Sequence, residues 1–161
     1  MRTLILGMGN PILSDDGVGL SIANIIRERF SYSHVDVASS VMIGLSLFDL
    51  IVGYDMLFIV DAMTSRDGKT GDLRKISEQD RQGTLHLFSS HGLNIFELMN
   101  LGRLCELKMP CLAAVYGIEI GNDVTFGSTL SPGLKEKLPA IAEEIIADIT
   151  SLLPPPSPSR E

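Results

Sequence analysis

The sequence predicts an α/β protein: a three-layer α/β/α sandwich on a mostly parallel, twisted, five-stranded sheet with helices on both faces. Three observations predict it. Short apolar runs alternate along the chain with amphipathic stretches of helical period, the pattern of strands joined by crossover helices. The run Met56-Leu57-Phe58-Ile59-Val60 has no polar residue, as expected of a central strand covered on both faces. Gly-rich turns, rather than two-residue hairpin turns, follow the first strand and lead directly into a helix.

Taken in order, Thr3 to Gly7 is a buried strand. Gly17 to Arg29 is a helix whose Val18, Ile22, Ile25 and Ile26 share one face, with Ser14 or Asp15 as its expected cap. Val35 to Ala38 is a second strand. Gly44 to Val52 is a short helix with Leu45, Phe48, Leu50 and Ile51 on its apolar side. Met56 to Val60 is the third strand, ending at Asp61. Asp67 to Gly71 is a turn, and Asp72 to Ile76 an edge strand. Leu93 to Leu104 is a helix and Cys111 to Ile118 a strand. Pro132 to Leu153 is the last helix, with Pro132 in its first turn, where a missing N–H costs nothing. Residues 1–153 are expected to form a single domain. Residues 154–161, rich in Pro and Ser, are expected to form a flexible tail.

Composition narrows the function classes. The chain has 161 residues, 45% of them hydrophobic, and a mean hydropathy of +0.24, which fits one packed domain rather than disorder. Its net charge is −7, and no Lys/Arg cluster or basic stripe occurs, which argues against nucleic acid and anionic membranes as partners. No apolar stretch reaches the roughly 18 residues of a membrane span. No signal peptide is recognised, and a cytoplasmic monomer is expected. Cys105 and Cys111 have neither zinc-knuckle nor redox-pair spacing and are expected as reduced thiols at or near the core.

The chemistry concentrates at the ends of two strands. The first strand runs into Gly7-Met8-Gly9-Asn10-Pro11-Ile12-Leu13-Ser14-Asp15-Asp16-Gly17. The turn resembles a dinucleotide fingerprint, but Ile12 stands where the third glycine belongs, and Asp15 and Asp16 place negative charge where a phosphate would sit. In a flavodoxin-like strand order the first and third strands are neighbours, so Asp16 and Asp61 reach one crevice beyond the carboxyl ends of the sheet. Asp61 alone reads first as a strand-end carboxylate capping the following loop, and it is the expected approach of Asp16 that gives the functional reading its weight. His91, in Ser90-His91-Gly92, precedes a helix and reads either as an accessible ligand or as a capping imidazole. His34 and His86 read as structural or exposed. Two carboxylates and an imidazole suit a borderline divalent ion such as zinc or nickel, with positions left for water. Glu119, Asn122 and Phe126 follow the last strand and either line the same crevice or belong to an exposed loop. Neither HExxH nor G-x-S-x-G occurs.

These residues resemble those of the hydrogenase maturation proteases. Gly7, Gly9, Asn10, Asp15, Asp16 and Gly19 are similar to that family's opening signature. Val60-Asp61-Ala62 resembles its second acidic segment, Ser90-His91-Gly92-Leu93 its histidine segment, and Gly117-Ile118-Glu119, Phe126-Gly127 and Leu130-Ser131-Pro132 its closing segment. The resemblance implies an endopeptidase that removes the C-terminal extension of a nickel–iron hydrogenase large-subunit precursor already loaded with nickel. It implies that Asp16, Asp61 and His91 contact the metal and carry catalysis. The nickel comes with the precursor, and other divalent ions such as zinc are able to take the site. The segment from Ser39 to Gly44 departs from the family's Gly-Gly-Thr-type loop and keeps only Gly44. A reading of a different class, based on the Gly-rich turn alone, is a small-ligand or nucleotide-binding α/β module without protease activity.

Overall fold

The structure is a computed structural model, which describes residues 1–30, 32–41, 44–76, 95–121 and 125–153. The strands are β1 (Thr3–Met8), β2 (Val35–Ser40), β3 (Met56–Met63), β4 (Leu73–Ile76) and β5 (Cys111–Glu119). They form one sheet in the order β2-β1-β3-β5-β4. The pairs β1–β2, β1–β3 and β3–β5 are parallel, and β4 closes the edge antiparallel to β5. The helices are α1 (Val18–Arg29), α2 (Phe48–Ile51), α3 (Ile95–Leu104) and α4 (Pro132–Leu152). Short 3-10 turns, Ser14–Gly17 and Gly44–Leu47, lead into α1 and α2.

Alternation along the strands feeds two cores. Ile5, Phe58, Val60, Tyr116 and Ile118 face α1 and α4, where Val18, Ile22, Ile26, Leu134, Ile141 and Ile145 cover them. Leu4, Leu6, Leu57, Ile59 and Val115 face Leu47, Ile51 and α3, which buries Ile95, Phe96, Leu98 and Met99. The expected α/β/α sandwich is therefore the observed architecture. The central strands β1 and β3 are mostly apolar because both of their faces are covered, whereas β2, at the edge, carries Asp36, Ser39 and Ser40 and is mostly half-exposed.

One contact sets the geometry of the carboxyl edge. The backbone of α1 lies against the backbone of β1 and β3. A Cβ on Gly19 would strike the carbonyl oxygens of Met8 and Val60, and one on Gly7 would strike Gly19 and Ala23. Gly9 has φ of 147°, and a side chain there would strike the carbonyl of Asp16. The turn carrying Asp16 consequently packs directly on β3.

Several local expectations change. No side chain caps α1: Gly17 is its N-cap residue, and Ser14 and Asp15 bond to distant partners instead. β3 does not stop at Asp61 but continues to Met63, because β5 offers pairing as far as Glu119. The 44–52 segment divides into a 3-10 turn and one turn of α-helix. Cys105 and Cys111 are both exposed rather than buried. They flank the connection from α3 to β5, at element ends that no layer covers. Residues 93–94, the tail from 154, His86, His91 and Asn122 lie outside the described residues. Among the described residues no helix is long and apolar enough to cross a membrane.

Replacing Gly19 by Ala tests the helix–strand contact. Overpacking against fixed backbone should cost at least about 1–3 kcal/mol in a urea unfolding experiment. An unchanged midpoint would contradict the close approach.

Candidate active site

Four carboxylates gather at the carboxyl edge of the sheet, and their hydrogen bonds divide them into two kinds. Asp15 accepts from the backbone N–H of Ser131 at 2.6 Å and from its hydroxyl at 2.8 Å. Ser131 is the N-cap residue of α4, so Asp15 ties the first turn of the chain to the start of its last helix. Glu119 is buried. It accepts from the backbone N–H of Ser65 and, at 3.0 Å, from the Ser65 hydroxyl. Gly68 packs so closely on Glu119 that a Cβ there would overlap its carboxyl group. Glu119 thus fastens the loop that follows β3 onto β5, rather than lining an open crevice or standing in an exposed loop. Both of these carboxylates have donors on both oxygens.

Asp16 and Asp61 are different. Asp16 accepts one bond, from the backbone N–H of Asn10 at 2.8 Å. Asp61 accepts one, from the N–H of Ala62 at 2.9 Å. Among the described residues no donor reaches the second oxygen of either. β1 and β3 are adjacent, and the Asp16 turn rests on β3, so the two side chains interact. Burial pushes the Asp61 carboxyl up to about 7, the Ala62 N–H opposes it, and the charge of Asp16 adds a smaller upward push. No cationic side chain of the described residues offsets this. Alternation places Asp61 on the same face of β3 as Leu57 and Ile59, the face covered by α3, whose first residue follows His91 by four positions.

The structure therefore brings together Asp16 and Asp61, as expected from the strand order. His91 lies outside the described residues, and among those described no group of three His, Cys, Asp or Glu side chains is placed to hold a metal ion. The Asn10 N–H, which a phosphate-binding turn would offer to its ligand, is already taken by Asp16. Asn10 also accepts from Ile12 N–H at 3.2 Å through its side chain and from Leu13 N–H at 3.2 Å through its carbonyl, which fixes the turn. His34, at the opposite edge of the sheet, packs edge-on against Tyr32. Sequence reasoning missed the partners of Asp15. The only local signal was the Ser131-Pro132 helix start.

The family described as "HycI: Hydrogenase maturation protease" matches residues 20–148. The chain belongs to the hydrogenase maturation protease family. The match includes Asp61 and His91 and begins four residues beyond Asp16. A relative, "Hydrogenase 2 maturation protease" of Escherichia coli K12, is 24% identical over 152 residues, covering 89% of this chain and 92% of its own. Among solved structures, the E. coli hydrogenase maturating endopeptidase HybD has the same fold, with a TM-score of 0.78 and 23% identity, over 94% of this chain and 93% of that one. The [NiFe] hydrogenase maturation protease HybD of Thermococcus kodakarensis aligns with a TM-score of 0.66 at 25% identity, over 93% and 99%. This protease thus has a role in hydrogenase maturation.

Two predictions follow from the carboxylate geometry. Burial holds the Asp61 carboxyl at about 7 in the folded chain, well above the usual carboxylate range, so it keeps its proton more tightly there than in the unfolded chain. Its contribution to stability is present below about pH 4 and is lost as pH rises through about 7. Asp61→Asn should therefore match wild type near pH 4 and melt at higher temperature at pH 8. A melting-temperature difference constant across that range would contradict the shift. Asp15→Ala, which strips both bonds from Ser131, should cost about 1–3 kcal/mol in chemical denaturation.

Proposed function

We propose that this protease is the endopeptidase that removes the C-terminal extension of a nickel-loaded nickel–iron hydrogenase large-subunit precursor, completing its maturation. The observation that carries this reading is the Asp16–Asp61 pair: two interacting carboxylates, each with one oxygen that no donor reaches and with no cation to offset them among the described residues, in a chain of this family. Neighbouring carboxylates disfavour each other's charge, and a cation between them relieves that.

The donor set fits a divalent ion. Each carboxylate is held by one backbone N–H, which leaves one oxygen as an oriented donor. Asp16 and Asp61, with His91 as the third ligand, would hold the nickel presented by the precursor, and zinc would fit the same oxygen and nitrogen donors. Nickel here is part of the substrate, so the free enzyme needs no resident metal. Bound at this place, the ion supplies positive charge that polarises a carbonyl or acidifies a water. On the protein's side, the backbone N–H on each carboxylate orients Asp16 and Asp61, so that they would hold the ion, and the water it acidifies, beside the scissile carbonyl. Cleavage is thereby tied to a precursor that carries its metal.

The test is processing of the precursor, followed by intact-mass spectrometry. Asp16→Asn, Asp61→Asn and His91→Gln should keep the fold by circular dichroism and slow processing by about a hundredfold or more. Normal processing by Asp61→Asn would overturn the role of the pair.

A further inference from the structure

Phe126 is 86% exposed and Ile12 61% exposed, although both stand beside the Asp16 turn. Their exposure does not come from loose chain. Gly127 N–H donates to the Ile12 carbonyl at 3.0 Å, and Ser14 N–H donates to the Gly127 carbonyl at 2.8 Å, forming a short parallel bridge between Leu13 and Gly127. The Ser14 hydroxyl donates to the Thr129 carbonyl at 2.7 Å, and Asp15 holds Ser131. The backbone carrying the two apolar side chains is therefore fastened on both sides of the bridge.

The same turn continues into Asp16, whose N–H donates to the Leu13 carbonyl at 3.1 Å. A fixed apolar pair in water thus adjoins the carboxylates without a break in the hydrogen-bonded backbone. Val41 and Leu45, after β2 on the same edge of the sheet, are also exposed. Large apolar side chains standing in water on a hydrogen-bonded backbone are the mark of a recognition surface, and a backbone fixed in advance lowers the entropy lost on binding.

We propose that Ile12 and Phe126 form the apolar contact that seats the precursor's C-terminal peptide beside the carboxylate pair. The substrate class this selects is a peptide with an aliphatic or aromatic side chain near the scissile bond. The proposal rests on the reading of the chain as a precursor-processing endopeptidase.

The experiment measures the Kd of a cognate nickel-loaded large-subunit precursor, together with kcat and KM for its cleavage. Phe126→Ala and Ile12→Ala should each raise Kd and KM about tenfold, the loss expected for a central apolar contact, and leave kcat within about twofold. Phe126→Leu should restore most of the affinity. Leu104→Ala, which removes an 82% exposed side chain at the end of α3, is the control and should change neither constant. Since all three side chains stand in water, melting temperatures should match wild type. If wild type binds and cleaves while Phe126→Ala binds within twofold of it, the docking surface is wrong and the protease reading stands. If wild type neither binds nor cleaves, the functional reading fails and takes this surface with it.

Discussion

The site depends on the contact of α1 with the backbone of β1 and β3. Because Gly19 has no side chain, the helix sinks onto the Met8 and Val60 carbonyls, and Gly7 and Gly9 leave room for the turn that precedes it. Without that approach Asp16 would stand off the sheet by the width of a side chain, out of range of Asp61. The glycines that resemble a phosphate-binding loop therefore serve a different purpose here. They bring a carboxylate, rather than open backbone donors, to the end of a parallel strand.

What distinguishes the carboxylates at this edge is how each is satisfied. Asp15 and Glu119 are clamped on both oxygens by serine backbone and hydroxyl donors, and each ties together segments distant in sequence. Among the described residues, Asp16 and Asp61 are each held by a single backbone N–H, and the charge of Asp16 acts on Asp61. Burial without compensation raises the free energy of the ionised pair, and any partner able to bring positive charge recovers it. The clamped carboxylates keep the frame rigid, so the cost of the pair is not relieved by local rearrangement.

Much of this was legible in the chain. The apolar run ending at Asp61 has the pattern of a covered central strand, and a flavodoxin-like strand order, once assumed, makes β1 its neighbour, so the meeting of Asp16 and Asp61 followed from that assumed order rather than from the residues themselves. The sites of Asp15 and Glu119 were not legible, because their partners are set by packing: Asp15 and Ser131 are 116 positions apart, and Ser65 and Glu119 are 54 apart. Local rules therefore assigned Asp15 to capping the nearest helix, and the folded chain gives it to the farthest one. The length of β3 was hidden for the same reason, since Asp61 looks like a strand end until β5 is seen pairing past it. Cys105 and Cys111 misled through residue type, because buried thiols are common and element ends carry no mark in the sequence.

The central claim is that the carboxylate pair reads the metal carried by the precursor. The most direct measurement is intact-mass analysis of a cognate large-subunit precursor incubated with this protease, once loaded with nickel and once free of it. A carboxylate pair that reads the metal gives loss of a C-terminal peptide from the nickel-loaded precursor alone. Equal cleavage of both forms would contradict it.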